Sequence, residues 1–375
     1  MNEATIKYLA ELGSDADDAE LRALLRNCPM RGDICLSFER EPSLFYGSEV
    51  EGENHLTFMV RQQPSRRIVA MGSSCDYEAW VDGQPVQVGY LSQLRVLPEF
   101  QKIPSITIRG YRLFQEVAES SPLPFYVTTI ASDNVEARRF LATKKRGFPI
   151  YTEQGEMNSL VIPLTRLGGK RRPTCWNGIV RHAALEDVER ICIFLNREMA
   201  RFAFAPVWHP EWLLSPTHSR GLSPSDFLLA EERGEITGCV ALWNQTSFKQ
   251  TVVRGYVPWL RRLRPLVNLL TPVTGTIPLP QVGSPFSHAY LSHFAARDNA
   301  IALRLMTEGC LAARRAGYSY VTTGFGSRHP QAGAILDAFR HRNYRSIIYT
   351  VQRESDTRTL ELAPDAIPHL EIARL

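Results

Sequence analysis

Residues 100–106, Phe-Gln-Lys-Ile-Pro-Ser-Ile, are where the backbone of this chain is best placed for chemistry. They follow an apolar run at 90–96 (YLSQLRV) and lead into a helix-patterned run at 105–118, in which Ile106, Gly110, Leu113, Phe114 and Val117 share a face. A strand that leaves through a loop into a helix start carries several unpaired main-chain N–H groups. They converge on one spot, and the helix dipole favours negative charge there, so a phosphate or pyrophosphate fits. On the strand itself Ser92 and Gln93 supply a hydroxyl and an amide, and one of them must face the same cleft, because strand side chains alternate.

The stretch has a copy. Tyr90-Leu91-Ser92 recurs as Tyr290-Leu291-Ser292, and Tyr126-Val127-Thr128-Thr129 recurs as Tyr320-Val321-Thr322-Thr323. Identical strings in the same order, inside matching elements, predict duplication of one α/β domain. The copies are unequal: 36 residues separate Tyr90 from Tyr126, and 30 separate Tyr290 from Tyr320. The missing six residues are about the length of a phosphate loop. The second copy also places Asp298 at the helix start, where a carboxylate caps the helix and repels phosphate. The first half is therefore the expected cofactor half. His293 replaces Gln93 in the copy and reads as a structural residue.

The elements that would hold these residues follow from patterning. Leu21, Leu24 and Leu25 have helical spacing. Ile34, Leu36 and Phe38 alternate as in a strand, and HLTFMV, RRIVAMGS, YEAWV and VGYLSQLRV read as further strands. Asp82-Gly83 is a hairpin turn. PFYVTTI reads as a buried strand, Asp133-Asn134 as a cap for a helix through VEARRFLATKK with Gly147 ending it, and MNSLVIPL as a closing strand. A basic, turn-rich linker at 169–177 separates a first domain at 1–168 from a second at 178–375, in which the order of elements begins again. PHLEIARL reads as a last strand.

With 375 residues, two domains are expected. The net charge of +4 is too mild to imply nucleic acid. No run approaches the ~20 apolar residues of a membrane helix. The first twenty residues are acidic and have no apolar signal core. Seven scattered cysteines without a C-x-x-C pair suggest neither zinc nor disulfides, so a cytoplasmic protein with reduced thiols and no metal is expected. No Ser-His-Asp spacing occurs.

YLSQLRV followed by VLPEF-Q-x-x-P-x-I, then a strand and Asp133-Asn134-x-x-Ala137-x-x-Phe140 with Gly147-Phe148, resembles the GCN5-related N-acetyltransferase superfamily. The resemblance covers about residues 30–165 and, more weakly, 178–352, and the whole chain resembles the tandem members. It implies an α/β (α+β) fold: two acyl-CoA N-acyltransferase-like domains, each a mixed, mostly antiparallel sheet with a splayed parallel strand pair and flanking helices. It also implies acetyl-CoA or another acyl-CoA as co-substrate and transfer of the acyl group to an amine. The backbone of Leu94, Arg95 and Val96 would pair with the pantetheine arm. Gln101, Lys102, Ile103, Ser105 and Ile106 would hold the pyrophosphate, with Asn134 near the cofactor. This chain departs from the family loop at Pro104, which has no N–H, and at Ile106, where the family has small residues. Leu141 stands where the family often has a thiolate-protonating tyrosine.

Such a transfer needs an oxyanion donor, for which Leu94 N–H is the natural choice, and a base. Glu39 and Glu41 in FEREP, or Asp76 and Glu78, are candidate bases, and Ser92 and Gln93 complete the catalytic set. The acceptor would be a small-molecule or peptide amine. Between Glu235 and Asp298 there is no acidic residue but six basic ones. An insertion at about 250–285 contains VPWLRRLRPLVNLLTPV, in which Pro258 and Pro265 predict only a short helix. Residues 254–270 are expected either to pack over the domain seam or to meet a membrane surface or acidic partner. Two alternative functions stand beside N-acetyl transfer: a non-catalytic ligand-binding or scaffold protein that kept the fold, and a membrane-associated long-chain acyltransferase.

Overall fold

The computed structural model describes residues 7–120, 123–141, 148–165, 176–353, 360 and 362–375. Gly147 and the linker residues 169–175 lie outside the described residues. The first half runs β1 (Lys7–Leu12), α1 (Asp18–Asn27), β2 (Ile34–Glu39), α2 (Leu44–Ser48), β3 (Glu53–Gln63), β4 (Ile68–Val81), β5 (Gln84–Val96), α3 (Pro104–Glu119), β6 (Tyr126–Ala131), α4 (Val135–Leu141) and β7 (Ile150–Pro163). The second runs β8 (Ile179–His182), α5 (Val188–Met199), β9 (Phe202–Ala203), α6 (Pro210–Leu213), β10 (Phe227–Glu232), β11 (Glu235–Trp243), β12 (Gln250–Tyr256), α7 (Pro258–Thr274), β13 (His288–Ala296), α8 (Asn299–Arg315), β14 (Tyr320–Gly326), α9 (Ala332–Ala338), β15 (Arg342–Gln352) and β16 (Ile367–Pro368).

Twelve of these strands form one sheet, β1-β3-β4-β5-β6-β15-β7-β14-β13-β11-β10-β8. The order reads alike from both ends because the halves exchange their last strands. β15 pairs antiparallel with β6, and β7 pairs antiparallel with β14. β7 and β15 then pair with each other along eleven registered positions, from Arg342↔Val161 to Gln352↔Ile150. The fold is thus mixed α/β, mostly antiparallel, with one parallel strand pair within the main sheet in each half, β5–β6 and β13–β14.

Local chemistry explains the elements that frame these pairs. RRIVAMGS and YEAWV, expected as separate strands, are one strand of 14 residues, β4. Nothing between them breaks the ladder: Ser73–Val81 stays paired with β5 throughout. Asp82 and Gly83 both have positive φ, 48° and 74°, the two-residue turn that matches strand twist. Pro104 opens α3 at its first turn, where a missing N–H costs nothing. Ile106, Tyr111, Phe114 and Ala118 are its buried face. Pro258 starts α7 in the same way, and the helix continues through Pro265 and Pro272 for 17 residues, longer than the prolines predicted. PHLEIARL is not a long strand. Only Ile367–Pro368 pairs, with β9, and a 3-10 turn at Ile372–Arg374 follows, buried between the halves.

Candidate functional site

The parallel pairs make two gaps. β5 and β6 are in register only at Gly89↔Tyr126 and Tyr90↔Val127, then diverge. Gly89 is required there, since a Cβ would lie 2.0 Å from the Tyr126 ring. β13 and β14 part after Tyr290↔Thr322. Just beyond each parting point the strand carries a left-handed residue, Gln93 with φ 55° and His293 with φ 51°. Each sits at a register break against its neighbour strand, between Met71 and Ser73 on β4 and between Cys239 and Ala241 on β11. A single left-handed residue of this kind turns the following peptide out of the ladder.

At the mouth of the first gap Thr128 Oγ1 donates to Leu91 O at 2.8 Å. Beside it, between α3 and β3–β5, lies a groove of about 70 Å³ walled by Phe58, Val60, Leu91, Ile106, Tyr111 and Phe114 among others. Ser73, Ser92 and Thr107 are its polar wall residues, and Ser73 Oγ is buried without a partner. Ser92 Oγ donates to Glu51 Oε2 at 2.9 Å. Glu51 is buried and ion-paired with Arg40 at 3.0 Å. It also lines a second, smaller cavity of about 20 Å³ with Tyr77, Tyr90, Leu370, Glu371 and Arg374. Ser92 and Glu51 thus join the two spaces. Burial pushes the Glu51 carboxyl up, but Arg40, His55 and Lys249 bring it below the usual carboxylate range. For Glu371 burial wins, and its carboxyl is raised.

The second gap is filled. Glu371 Oε2 accepts the bulge N–H of His293 at 2.8 Å, and Glu371 Oε1 accepts Ala373 N–H at 3.1 Å. Ile372 occupies the space opposite Gly324, where a Cβ would lie 2.3 Å from Ile372 Cγ2. Arg374 is buried, donates to Val50 O at 3.2 Å and Glu51 O at 3.3 Å, and lies 4.6 Å over Trp212. Gln245 donates to Ala373 O at 2.7 Å, and Lys249 to Ala373 O at 3.4 Å and to Leu375 O. Burial pushes Lys249 down to about 7. His293 is packed 4.2 Å from Trp208, its Nδ1 against Ser292 Oγ at 2.9 Å, and burial pushes it down to about 3.

The residues singled out from the sequence fall into three groups. Ser92, Leu94, Val96 and Ile106 line the groove, and Gln93 is the left-handed residue beside it. The loop offers fewer donors than expected. Ile103 N–H already donates to Phe100 O at 3.0 Å and Ile106 N–H to Ile103 O at 3.2 Å. Among the described residues the N–H groups of Gln101, Lys102 and Ser105 remain without a main-chain acceptor. Val96 O accepts Gln101 Nε2 at 3.2 Å and Cys28 Sγ at 3.5 Å, and Arg95 Nη1 folds back onto Leu94 O at 2.9 Å. Asn134 Oδ1 accepts Ala137 N–H at 3.2 Å, so this side chain caps α4.

Glu39 and Glu41 line neither cavity. Glu39 is held by Arg254 Nε at 2.9 Å on the β2–β12 ribbon, and Glu41 by Arg22 and by Arg26 at 3.1 Å. Asp76 accepts Asn54 Nδ2 at 3.0 Å, and Glu78 meets His209 across the halves at 2.6 Å. Asp298 does cap its helix, accepting Ile301 N–H at 2.9 Å. Glu51, Lys249, Glu371 and Arg374 escaped the sequence reading. The signal available was acidic and basic residues embedded in apolar strings, GSEVEGEN and HLEIARL.

No protein-family model matches the sequence, and no curated protein matches it. Solved structures do. N-myristoyltransferase from Saccharomyces cerevisiae with bound myristoyl-CoA aligns with a TM-score of 0.58 at 12% identity, over 98% of this chain and 87% of that one. A GCN5-related N-acetyltransferase from Sphaerobacter thermophilus aligns with 0.55 at 14% identity, over 96% and 98%. One from Kribbella flavida aligns with 0.51 at 12%, over 93% and 72%. The splayed strand pairs and these alignments together give the chain the acyl-CoA N-acyltransferase fold, that of the GCN5-related N-acetyltransferases and N-myristoyltransferase.

Proposed function

We propose that the protein is an acyl-CoA-dependent N-acyltransferase in which residues 1–168 hold the acyl-CoA and residues 178–375 help to shape the acceptor site. The observation that carries this reading is the first parallel pair, with its left-handed Gln93, the apolar groove beside it and an adjoining cavity bordered by Glu51. The thioester carbonyl would lie beside the bulge, with Leu94 N–H as oxyanion donor. Gln101, Lys102 and Ser105 would meet the pyrophosphate through N–H groups and the α3 dipole. The groove favours an acyl group longer than acetyl, since its walls are almost entirely apolar. The myristoyl-CoA of the yeast neighbour is a precedent for such a ligand on this fold.

The acceptor would enter the smaller cavity as a neutral amine, beside Glu51, whose carboxylate Ser92 orients. Its nitrogen attacks the thioester carbonyl, the C–N bond forms, the surplus proton on nitrogen passes to Glu51, the C–S bond breaks, and the departing thiolate takes a proton from solvent. Contact with a membrane surface or an acidic partner through residues 254–270 belongs to the same reading, supported by the exposed apolar residues of α7.

Calorimetry with acetyl-CoA and with medium- and long-chain acyl-CoAs is the direct test. A ligand at about 100 times its Kd should raise the unfolding free energy by about 2.7 kcal/mol. Silence with every acyl-CoA would reject the reading. Glu51→Gln keeps the shape and should leave acyl-CoA binding intact while lowering amide formation at least a hundredfold. Binding without transfer in the wild type, with any amine offered, would favour a non-catalytic ligand-binding protein.

A further inference from the structure

Helix α7 is built inside out. Three of its polar side chains, Arg264, Asn268 and Thr271, face the protein. Asn268 exchanges two hydrogen bonds with Leu279, Nδ2 donating at 2.9 Å and Oδ1 accepting at 2.8 Å. Arg264 Nη1 donates to Leu279 O at 3.3 Å, and Thr271 is buried. Leu260 is the single buried leucine of the helix. Its large apolar side chains face outward: Trp259, Leu263, Leu266, Leu269, Leu270 and Val273 are 42 to 76% exposed. A helix on a water-facing surface has the opposite arrangement. Five of the six, at 259, 263, 266, 270 and 273, form one continuous row.

The charge of the region selects the partner. Arg262 is exposed beside the row, Arg261 is exposed on the far flank, and the sequence has no acidic residue between Glu235 and Asp298. A second copy of the chain would therefore set arginine against arginine with no carboxylate on the helix to answer it. Pro265 and Pro272 interrupt the regular knobs that a helical partner would need. An anionic bilayer suits all three features. Leucines and tryptophan enter the acyl boundary, arginines reach phosphate headgroups, and the prolines are no obstacle. No described helix is long and apolar enough to span a membrane, so α7 would lie in the interface.

We propose that α7 docks the protein on anionic lipid surfaces, with the row from Trp259 to Val273 buried below the headgroups. This narrows the surface contact proposed above to one partner, and it does not depend on acyl transfer.

The test is flotation of the full chain with vesicles of phosphatidylcholine alone or mixed with phosphatidylglycerol, at low and high salt. The protein should float with the anionic vesicles, lose at least tenfold in partition at high salt, and stay behind with the neutral ones. Leu266→Glu with Leu270→Glu should abolish flotation at least tenfold with an unchanged Tm, since both side chains are already in solvent. Absence of wild-type flotation, or equal flotation of wild type and double variant, would overturn the proposal. An acidic amphipathic peptide that binds α7 when anionic vesicles do not would keep the surface contact and overturn the lipid. A dimer in light scattering that Leu266→Glu dissolves would assign the row to a second copy instead.

Discussion

The two splayed gaps share parallel pairing and a left-handed bulge residue, yet one has an apolar groove beside it and the other is occupied by the chain's own C-terminal turn. At Gln93 the bulge opens on a groove with an apolar wall. At His293 the same bulge points its N–H at the Glu371 carboxylate, and Ile372 takes the space beyond. A bulge N–H off the ladder needs a partner when buried. In the second gap the protein supplies one permanently. The same bulge geometry therefore borders an apolar groove in one half and a packed joint in the other.

The largest effect should come from removing the occupant's anchor. Glu371→Ala strips the acceptor from two buried N–H groups and leaves Arg374 short of a counter-charge, and should cost about 3 kcal/mol in urea unfolding. Gln93→Ala, in the first gap, should cost no more than about 1 kcal/mol. Equal costs would erase the distinction.

Lys249 gives the comparison a pH signature. It donates into residues 373–375, and burial takes it from a lysine's usual 10.5 to about 7. Between these values the unfolded chain holds a proton that the folded chain lacks, so stability rises with pH, and below about 7 the slope vanishes. The difference in unfolding free energy between wild type and Lys249→Met should therefore move in favour of the wild type by about 1.4 kcal/mol per pH unit from 7 upward. A flat difference would mean that water reaches the joint.

The smallest effect sharpens the groove side. Gly110 faces the groove with its nearest neighbour, Val60 Cγ2, 3.7 Å from a would-be Cβ. Gly110→Phe should fill the groove and weaken long-chain acyl-CoA about tenfold, or about 1.4 kcal/mol, while acetyl-CoA and Tm change little. An equal loss for both ligands would place the acyl chain elsewhere.

Much of this asymmetry was legible in one dimension. The strings YLS and YVTT marked both gaps, and the shorter spacing with Asp298 at the α8 cap marked the second as the altered one. Asp82-Gly83 and Pro104 spoke through local backbone rules that hold without tertiary context. Glu39 and Glu41 misled, because a carboxylate beside a strand looks the same whether arginines hold it or a cleft receives it. Glu51 was passed over for the converse reason. Its burial depends on Arg40 and on Arg374, which arrives from over three hundred positions away. HLEIARL alternates like a strand, and only Gly324 and the waiting His293 N–H make it a filler. In α7, patterning revealed two faces but not which one would turn outward.

The exchange of β7 and β15 has a consequence for how the chain comes to be folded. β6 finds its antiparallel neighbour in β15, synthesised about two hundred residues later. Until then the first half lacks the native neighbour of β6, so half-by-half maturation cannot complete the sheet. Contacts of such long range close slowly. The strand order, read alike from either end, is that of a swapped homodimer whose two chains have become one. Joining them makes the second partner intramolecular, so the edge waits for a strand tethered nearby rather than one met by diffusion.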